Sequence, residues 1–330
     1  MPLELGFDPD IVRHRLERLD TAPCLLGLSG GGDSTALLLI AAGWARDCGI
    51  ALIPVIIDHA IRAESADEAR RAAQRARELG LSPVIIRWQG AKPATGLQAA
   101  ARDFRLKTFA SIAHQHDANT VLLGHTLEDQ AETVMMRIIQ GTGMRGLSGI
   151  RKSLKLKNVT FIRPLLDFSK QDILHYLKTN RIPFCRDRSN TSMRFVRNRI
   201  RKKLLPLLSK EFNPRIVQAL ARLPAAVQEE NELIAGLEEK ALQETYRKRR
   251  GTKIWLHRAF FLGLAAPLQF RVLNRVLQKI DAQSGLDFEA WQRLKPQLSR
   301  RRFCYSLPRD IDFLLSPSSV TLYKKFPAGR

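Results

Sequence analysis

Three consecutive glycines, Gly30, Gly31 and Gly32, lie between Ser29 and the pair Asp33-Ser34 in the stretch CLLGLSGGGDSTALLL, Cys24 to Leu39. An apolar run precedes them and a helix-like apolar pattern follows. Glycines let backbone N–H groups come close to phosphate oxygens, and a helix N-terminus adds partial positive charge. A Walker loop would end in Lys-Ser or Lys-Thr, its lysine reaching the outer phosphates. Here a carboxylate stands in that place. Beside phosphates it is repulsive unless a cation lies between, so Asp33 suggests Mg²⁺ held against a di- or triphosphate. A glycine-rich turn with Asp33 or Ser34 as helix N-cap accounts for the same residues. The loop alone leaves both open.

Further polar groups stand at comparable places. PVIIDHAIR ends an apolar strand pattern with Asp58-His59, a pair that can meet a nucleotide base or ribose, or simply make a strand-end turn. In LLGHTLEDQAETVMMRIIQG, Thr126 can cap a helix, with Asp129 as the capping-box carboxylate. At ~100° per residue, Leu127, Ala131, Val134 and Ile138 form a core stripe, and Asp129 and Glu132 fall together on the opposite side. His125 lies just before the helix. Two carboxylates and a histidine there can bind a metal or a cationic substrate, or act as general base; a solvated acidic first turn favoured by the helix dipole is the structural alternative. In GLQAAARDFR, Arg102 and Arg105 sit within one helical turn, suited to phosphate charge in a transition state or to a solvated basic face. The arginine-dense run RDRSNTSMRFVRNRIRKK carries Arg194, Arg197, Arg199, Arg201 and Lys202, a set suited to nucleic-acid phosphates. RKRRGTK (247–253) and SRRR (299–302) add weaker basic sites.

The elements that must position these groups alternate. Strand patterns at 24–28, 52–57, 83–88 and 120–123 are separated by helical patterns at 34–47, 66–79, 97–116 and 127–140, with Gly49 and Gly80 as stops. A fifth apolar run covers 159–166, and Ser169 can cap the helix after it. Such alternation predicts an α/β fold, a doubly wound parallel sheet whose ligands bind beyond the carboxyl ends of the strands. Downstream, helical patterns at 214–223, 228–246, 267–280 and 288–298 precede short strands and turns from Arg301. We therefore expect a nucleotide-binding catalytic domain over 1–210 and a smaller, mainly helical domain over 211–330.

Composition narrows the function classes. The 330-residue chain is 45% hydrophobic, which supports a large core and argues against wholesale disorder. No apolar run approaches the ~20 residues of a membrane span. The N-terminus lacks a signal-peptide layout, so a cytoplasmic protein with no membrane partner is expected. The net charge of +22 favours a polyanion, nucleic acid first. Cys24, Cys48, Cys185 and Cys304 have neither zinc-ligand nor Cys-x-x-Cys spacing. Oligomeric state stays open, a homodimer included.

With the loop, Asp58-His59 and His125–Glu132 together, LSGGGDS resembles the S-G-G-x-D-S loop of PP-loop ATPases, which hold ATP so that the α-phosphate is attacked and pyrophosphate leaves. Within that group DHAIR, GHTLEDQAET, RPLL and DRSNTSMRFVRNRIR resemble the tRNA(Ile)-lysidine synthetase family, over 23–206. The resemblance implies an adenine-nucleotide-hydrolase-like fold and a two-step ligation. ATP adenylates the wobble cytidine of an isoleucine tRNA with a CAU anticodon; free lysine then displaces AMP, giving lysidine, so that the tRNA reads AUA and accepts isoleucine. It implies ATP and Mg²⁺ on Ser29, Gly30, Gly31, Gly32, Asp33 and Ser34, adenosine near Asp58 and His59, and charge stabilisation by Arg102 and His125. Lysine would bind at Asp129 and Glu132, with Asp129 or His125 taking its proton. Two departures stand out. The family's Asp-Asp-Gln is Glu128-Asp129-Gln130 here, and the extra C-terminal domain of long members, which grips the acceptor stem, is not expected.

Three rivals compete. A tRNA thiolase would need catalytic or cluster cysteines. A non-catalytic RNA-binding protein accounts for the charge but not for Asp33, His125, Asp129 and Glu132 together. An amidotransferase of the GMP-synthetase type would need less positive charge and a glutaminase segment.

Overall fold

Six strands form the first sheet: β1 (Cys24–Gly27), β2 (Leu52–Asp58), β3 (Val84–Arg87), β4 (Thr120–Leu123), β5 (Ser153–Leu156) and β6 (Val159–Ile162), in spatial order β3-β2-β1-β4-β6-β5. The computed structural model describes residues 6–19, 22–60, 64–90, 92–93, 96–185, 193 and 195–325. Every neighbouring pair is parallel except the β5–β6 hairpin. β1 and β4 are near-continuous apolar runs because both faces of the sheet are covered. Cys24, Leu26 and Leu28 pack with the helices Gly32–Asp47, Ser65–Glu78 and Lys170–Thr179. Leu25, Val121 and Leu123 pack with Phe109 and Ile112 of the helix Leu97–Gln115. Doubly wound packing of this kind reverses strand order at one point, here between β1 and β4, and the crevice beyond the strand ends at that point is where such folds bind ligands.

The structure groups residues 1–227 and 228–330 into two compact units. The helical patterns expected at 214–223 and 228–246 belong to one helix, Ile216–Thr245, with Pro224 inside it. Leu220 before the proline and Val227 after it are both buried. That burial offsets a proline cost of ~3 kcal/mol in a helix interior.

In the second unit, five antiparallel strands are ordered β7-β8-β11-β10-β9: β7 (Tyr246–Arg250), β8 (Lys253–His257), β9 (Phe303–Leu307), β10 (Ile311–Leu315) and β11 (Ser319–Lys324). The last three fall where short strands were expected. The first two turn the basic run 247–253 into a hairpin. Ile254 and Leu256 join Phe313 and Leu322 in a core with Val272, Val276 and Leu277 of the helix Ala266–Ile280. The arginines and lysine of β7 remain exposed on the sheet edge, where like charge discourages edge-to-edge pairing. Among the described residues no helix is long and apolar enough to cross a membrane.

Candidate active site

The loop Ser29–Ser34 leaves β1 and opens the helix Gly32–Asp47 at the switch point. Gly30 adopts φ +79°, a left-handed conformation that glycine takes without steric cost. The loop ties itself down: Ser29 N–H donates to Ser34 Oγ at 3.2 Å, and Ser34 Oγ donates to the Gly31 carbonyl at 3.1 Å. Cys185 N–H donates to the Gly30 carbonyl at 3.0 Å and holds it from outside.

The loop after β4 lies directly on this one. A Cβ on Gly124 would stand 3.2 Å from both Cα and N of Ser34, a tight contact, so glycine lets the two backbones pack closely here without displacing either. His125 follows and then the helix Leu127–Ile139, whose capping box is formed as expected: Thr126 N–H donates to Asp129 Oδ2 at 3.0 Å.

That helix departs from the amphipathic reading in two respects. Ala131 and Val134 are buried, but Ile138 is 46% exposed and Glu132 only 1%. The reason is tertiary. Ala131 and Val134 pack on Ile200, Leu205 and Leu220, and this packing brings the run 196–211 over the acidic side. Within the run, residues Ile200–Leu204 form a π-helical turn in which Leu205 N–H bonds the Ile200 carbonyl. Pro206, which has no N–H to offer an i−4 carbonyl, follows at the start of the next α-turn.

Arg197 and Arg201 thereby turn inward. Arg197 Nε donates to Glu132 Oε2 at 2.8 Å, and its Nη2 to Asp129 Oδ1 at 2.9 Å. Arg201 Nη2 donates to Glu132 Oε2 at 3.0 Å, and its Nε to Oε1. The carboxylates expected to meet a lysine ammonium are met here by guanidiniums of the chain itself. Burial pushes the Asp129 carboxyl up, but Arg197, the Thr126 backbone N–H and Arg201 outweigh it and hold it below the usual carboxylate range. Arg199 and Lys202, on the same run, are exposed. Arg194 lies outside the described residues, as does the D-x-S-N part of that motif.

His125 is neutral. Burial lowers its pKa to about 3, and Arg105, Arg163 and Arg197 add to this while Asp129 opposes it. Its Nδ1 has no hydrogen-bond partner among the described residues. Arg163, from the RPLL segment, is buried, and burial together with Arg102 and Arg105 lowers its guanidinium to about 10. Arg102 itself is exposed. Three arginines held near one another repel, which is what an anion would relieve.

Asp58 is buried at the end of β2; its Oδ1 accepts from Ala60 N–H at 2.8 Å, and its Oδ2 lies 3.6 Å from Arg87 Nε. His59 meets Trp88 edge-on with ring centroids 6.0 Å apart, and its Nδ1 is unpartnered among the described residues. Trp88 stacks on Phe104 at 5.2 Å.

Two contacts escaped the sequence reading. Lys170 Nζ lies 3.1 Å from Asp33 Oδ2. Glu128 accepts the Lys170 backbone N–H on both oxygens, at 2.8 and 3.0 Å, so it caps the helix Lys170–Thr179. Ser169, whose hydroxyl accepts from Asp172 N–H at 3.1 Å, caps the same helix as expected. Nothing local signals that this helix start reaches the phosphate loop.

The PP-loop domain family matches residues 10–208. The chain is 40% identical over 266 residues to the tRNA(Ile)-lysidine synthase of Bradyrhizobium diazoefficiens, across 78% of this chain and 72% of that protein. The chain belongs to the tRNA(Ile)-lysidine synthase family. The lysidine synthase of Bacillus subtilis is 31% identical over 284 residues, 84% of this chain and 59% of its own length. Among solved structures, the U34-tRNA thiolase NcsA of Methanococcus maripaludis aligns with a TM-score of 0.57 at 21% identity, over 67% of this chain and 78% of that one. It shares the fold. PP-loop membership in the lysidine synthase family assigns ATP to this chain, and the residues fit it: a glycine loop at a helix N-terminus, and a buried Asp33 Oδ1 without a hydrogen-bond partner among the described residues, as a cation's ligand would be.

Proposed function

We propose that this chain joins the ε-amine of free lysine to the wobble cytidine of the isoleucine tRNA with a CAU anticodon. In the first step the ring carbonyl oxygen of the cytidine attacks the α-phosphate of ATP and pyrophosphate leaves. In the second, the lysine amine attacks the ring carbon and that oxygen departs with AMP. The tRNA then reads AUA and carries isoleucine identity.

One observation carries this reading: Gly124 seats the His125–Glu132 segment on the phosphate loop at Ser34, so one crevice offers both an anion cradle and a carboxylate–imidazole pair. Ser29 to Ser34 would hold the phosphates and Asp33 the Mg²⁺, which supplies charge neutralisation when bound. Asp58 and His59 would lie along the adenosine. Arg102, with Arg105 and Arg163, would face the charge that develops during adenylation. Asp129, 18% exposed against 1% for Glu132, is the carboxylate a lysine ammonium can reach, with Glu132 holding the two arginines in place. The ammonium must lose a proton before it attacks. His125 has an unpartnered ring nitrogen and could take it; burial first, then Arg105, Arg163 and Arg197, depress its basicity, and bound phosphates would offset the arginine part. Arg199 and Lys202 would meet tRNA phosphates.

Thiolation finds less support in the cysteines. Burial pushes the Cys24 thiol up to about 12, and Cys185, whose N–H meets the Gly30 carbonyl, has no second cysteine at Cys-x-x-Cys spacing. The test is incubation with ATP, Mg²⁺ and radiolabelled lysine, using CAU-anticodon isoleucine tRNA and initiator methionine tRNA in parallel. Label in the isoleucine tRNA alone is expected. Pyrophosphate release without label would overturn lysine as nucleophile and turn the search to sulfur.

A further inference from the structure

Gln130 stands between Asp129 and Glu132 in sequence and bonds to neither. At ~100° per residue it falls about 160° from Glu132, on the far side of the helix Leu127–Ile139. It is buried, and its amide is fully used: Oε1 accepts the Ile150 N–H at 2.7 Å, and Nε2 donates to the Ile150 carbonyl at 2.8 Å. An amide that meets both backbone groups of one residue holds it as a neighbouring strand would. The clamp is closely fitted. A Cβ on Gly149 would stand 2.5 Å from Gln130 Oε1 and 2.8 Å from Pro224 Cγ.

The chain that Ile150 leads into is exposed at Arg151, Lys152 and Ser153, where the edge hairpin β5–β6 begins. Two carbonyls of this exposed stretch nonetheless hold a buried cation. The Arg151 carbonyl accepts Arg163 Nη1 at 2.7 Å, and the Lys152 carbonyl accepts the Arg163 N–H at 2.9 Å. Arg163 is 5% exposed, and its Nε has no hydrogen-bond partner among the described residues. Its charge reaches His125. A guanidinium is a planar fork, so fixing one Nη on a carbonyl sets the direction of the other N–H groups.

We infer that Gln130 is a positioning residue for the adenylation step: by clamping Ile150 it holds the Arg151 carbonyl, and through that carbonyl the Arg163 guanidinium, in the orientation that meets the developing charge. A cation that stabilises a transition state is worth most when it is already in place and need not reorganise. The exposed turn at Arg151 cannot supply that fixity by itself; the buried amide of Gln130, on the helix that also carries Asp129 and Glu132, supplies it from within. The same helix thus presents carboxylates to the crevice on one side and sets the aim of an arginine on the other. This inference rests on the ATP step of the proposed function and not on lysine as the nucleophile.

The experiment compares the wild-type chain with Gln130→Met, Arg163→Met and the double variant in two measurements. The first needs no activity: heteronuclear NMR of isotopically labelled arginine side chains, with the Arg163 signals identified by their loss in Arg163→Met. A held guanidinium gives separate Nη resonances and a freely turning one gives averaged resonances. Separate signals in the wild type and averaged ones in Gln130→Met are expected; the same pattern in both would overturn the inference. The second is pyrophosphate release at saturating ATP, Mg²⁺ and CAU-anticodon isoleucine tRNA. Gln130→Met should slow it about tenfold to a hundredfold with little change in the KM for ATP, because a misplaced transition-state group lowers kcat. The double variant should be no slower than Arg163→Met, since Gln130 acts through that guanidinium. Losses that multiply in the double variant, or a raised KM with kcat unchanged, would make Gln130 merely structural. Gln130→Glu, which keeps an oxygen for the Ile150 N–H, carries the same comparisons if Gln130→Met does not fold. Absence of pyrophosphate release from the wild type would be failure of the adenylation reading, and the NMR comparison would still decide the role of Gln130.

Discussion

Arg197 Nε donates to Glu132 Oε2 at 2.8 Å across 65 residues of sequence, onto a carboxylate that is 1% exposed. Removing Glu132 leaves Arg197 and Arg201, 32% and 28% exposed, with Asp129 as their remaining carboxylate, so the cost falls below that of a fully buried pair. Glu132→Ala should lower unfolding stability by roughly 1–3 kcal/mol in a urea titration. A loss within the range of surface pairs, below ~1 kcal/mol, would mean that solvent screens the cluster.

Asp129 shares those arginines but is more open to solvent. Asp129→Asn should raise the lysine concentration needed for half-maximal ligation well above any change in the ATP requirement. Parallel increases in both would point to general damage of the crevice and remove Asp129 as the lysine ligand.

His125 couples stability to pH with a definite sign. Its folded pKa, about 3, lies below the ordinary 6.5, so the unfolded chain takes up a proton first on acidification. Its contribution is complete above pH ~6.5 and is lost as pH falls toward ~3. Melting temperatures of the wild type and His125→Gln, followed from pH 7 to 4.5, should converge in acid, the variant falling less. Parallel curves would show that His125 is not held neutral by its surroundings.

Arg199 and Lys202 are exposed on the run whose other arginines face inward. Replacing both with glutamine should weaken tRNA binding and flatten the dependence of log K on log salt by roughly 0.7–0.9 for each phosphate that is no longer neutralised. An unchanged slope would place the tRNA surface elsewhere. A large change in ATP affinity in the same variant would mean that they serve the nucleotide.

What could be read along the chain was local. The strand–glycine loop–helix at Cys24–Asp47 and the capping box of Thr126 and Asp129 each depend on residues a few positions apart, through backbone conformation and helix periodicity. What could not be read was the company each group keeps across the sheet. The sequence places Glu132 beside Asp129 on a polar helix face, open to a ligand or to solvent; packing of Ala131 and Val134 on Ile200 and Leu205 buries it under two arginines. Glu128 looks like an acidic first-turn residue and proves to cap another helix. Lys170 looks like an ordinary helix start and stands at the phosphate loop. The basic run 247–253 looks like a surface patch and forms a hairpin because Ile254 and Leu256 alternate into a core with Phe313 and Leu322. These contacts join segments tens to hundreds of residues apart. Their distances follow from strand order and from which apolar faces meet, and no periodicity within one element encodes either.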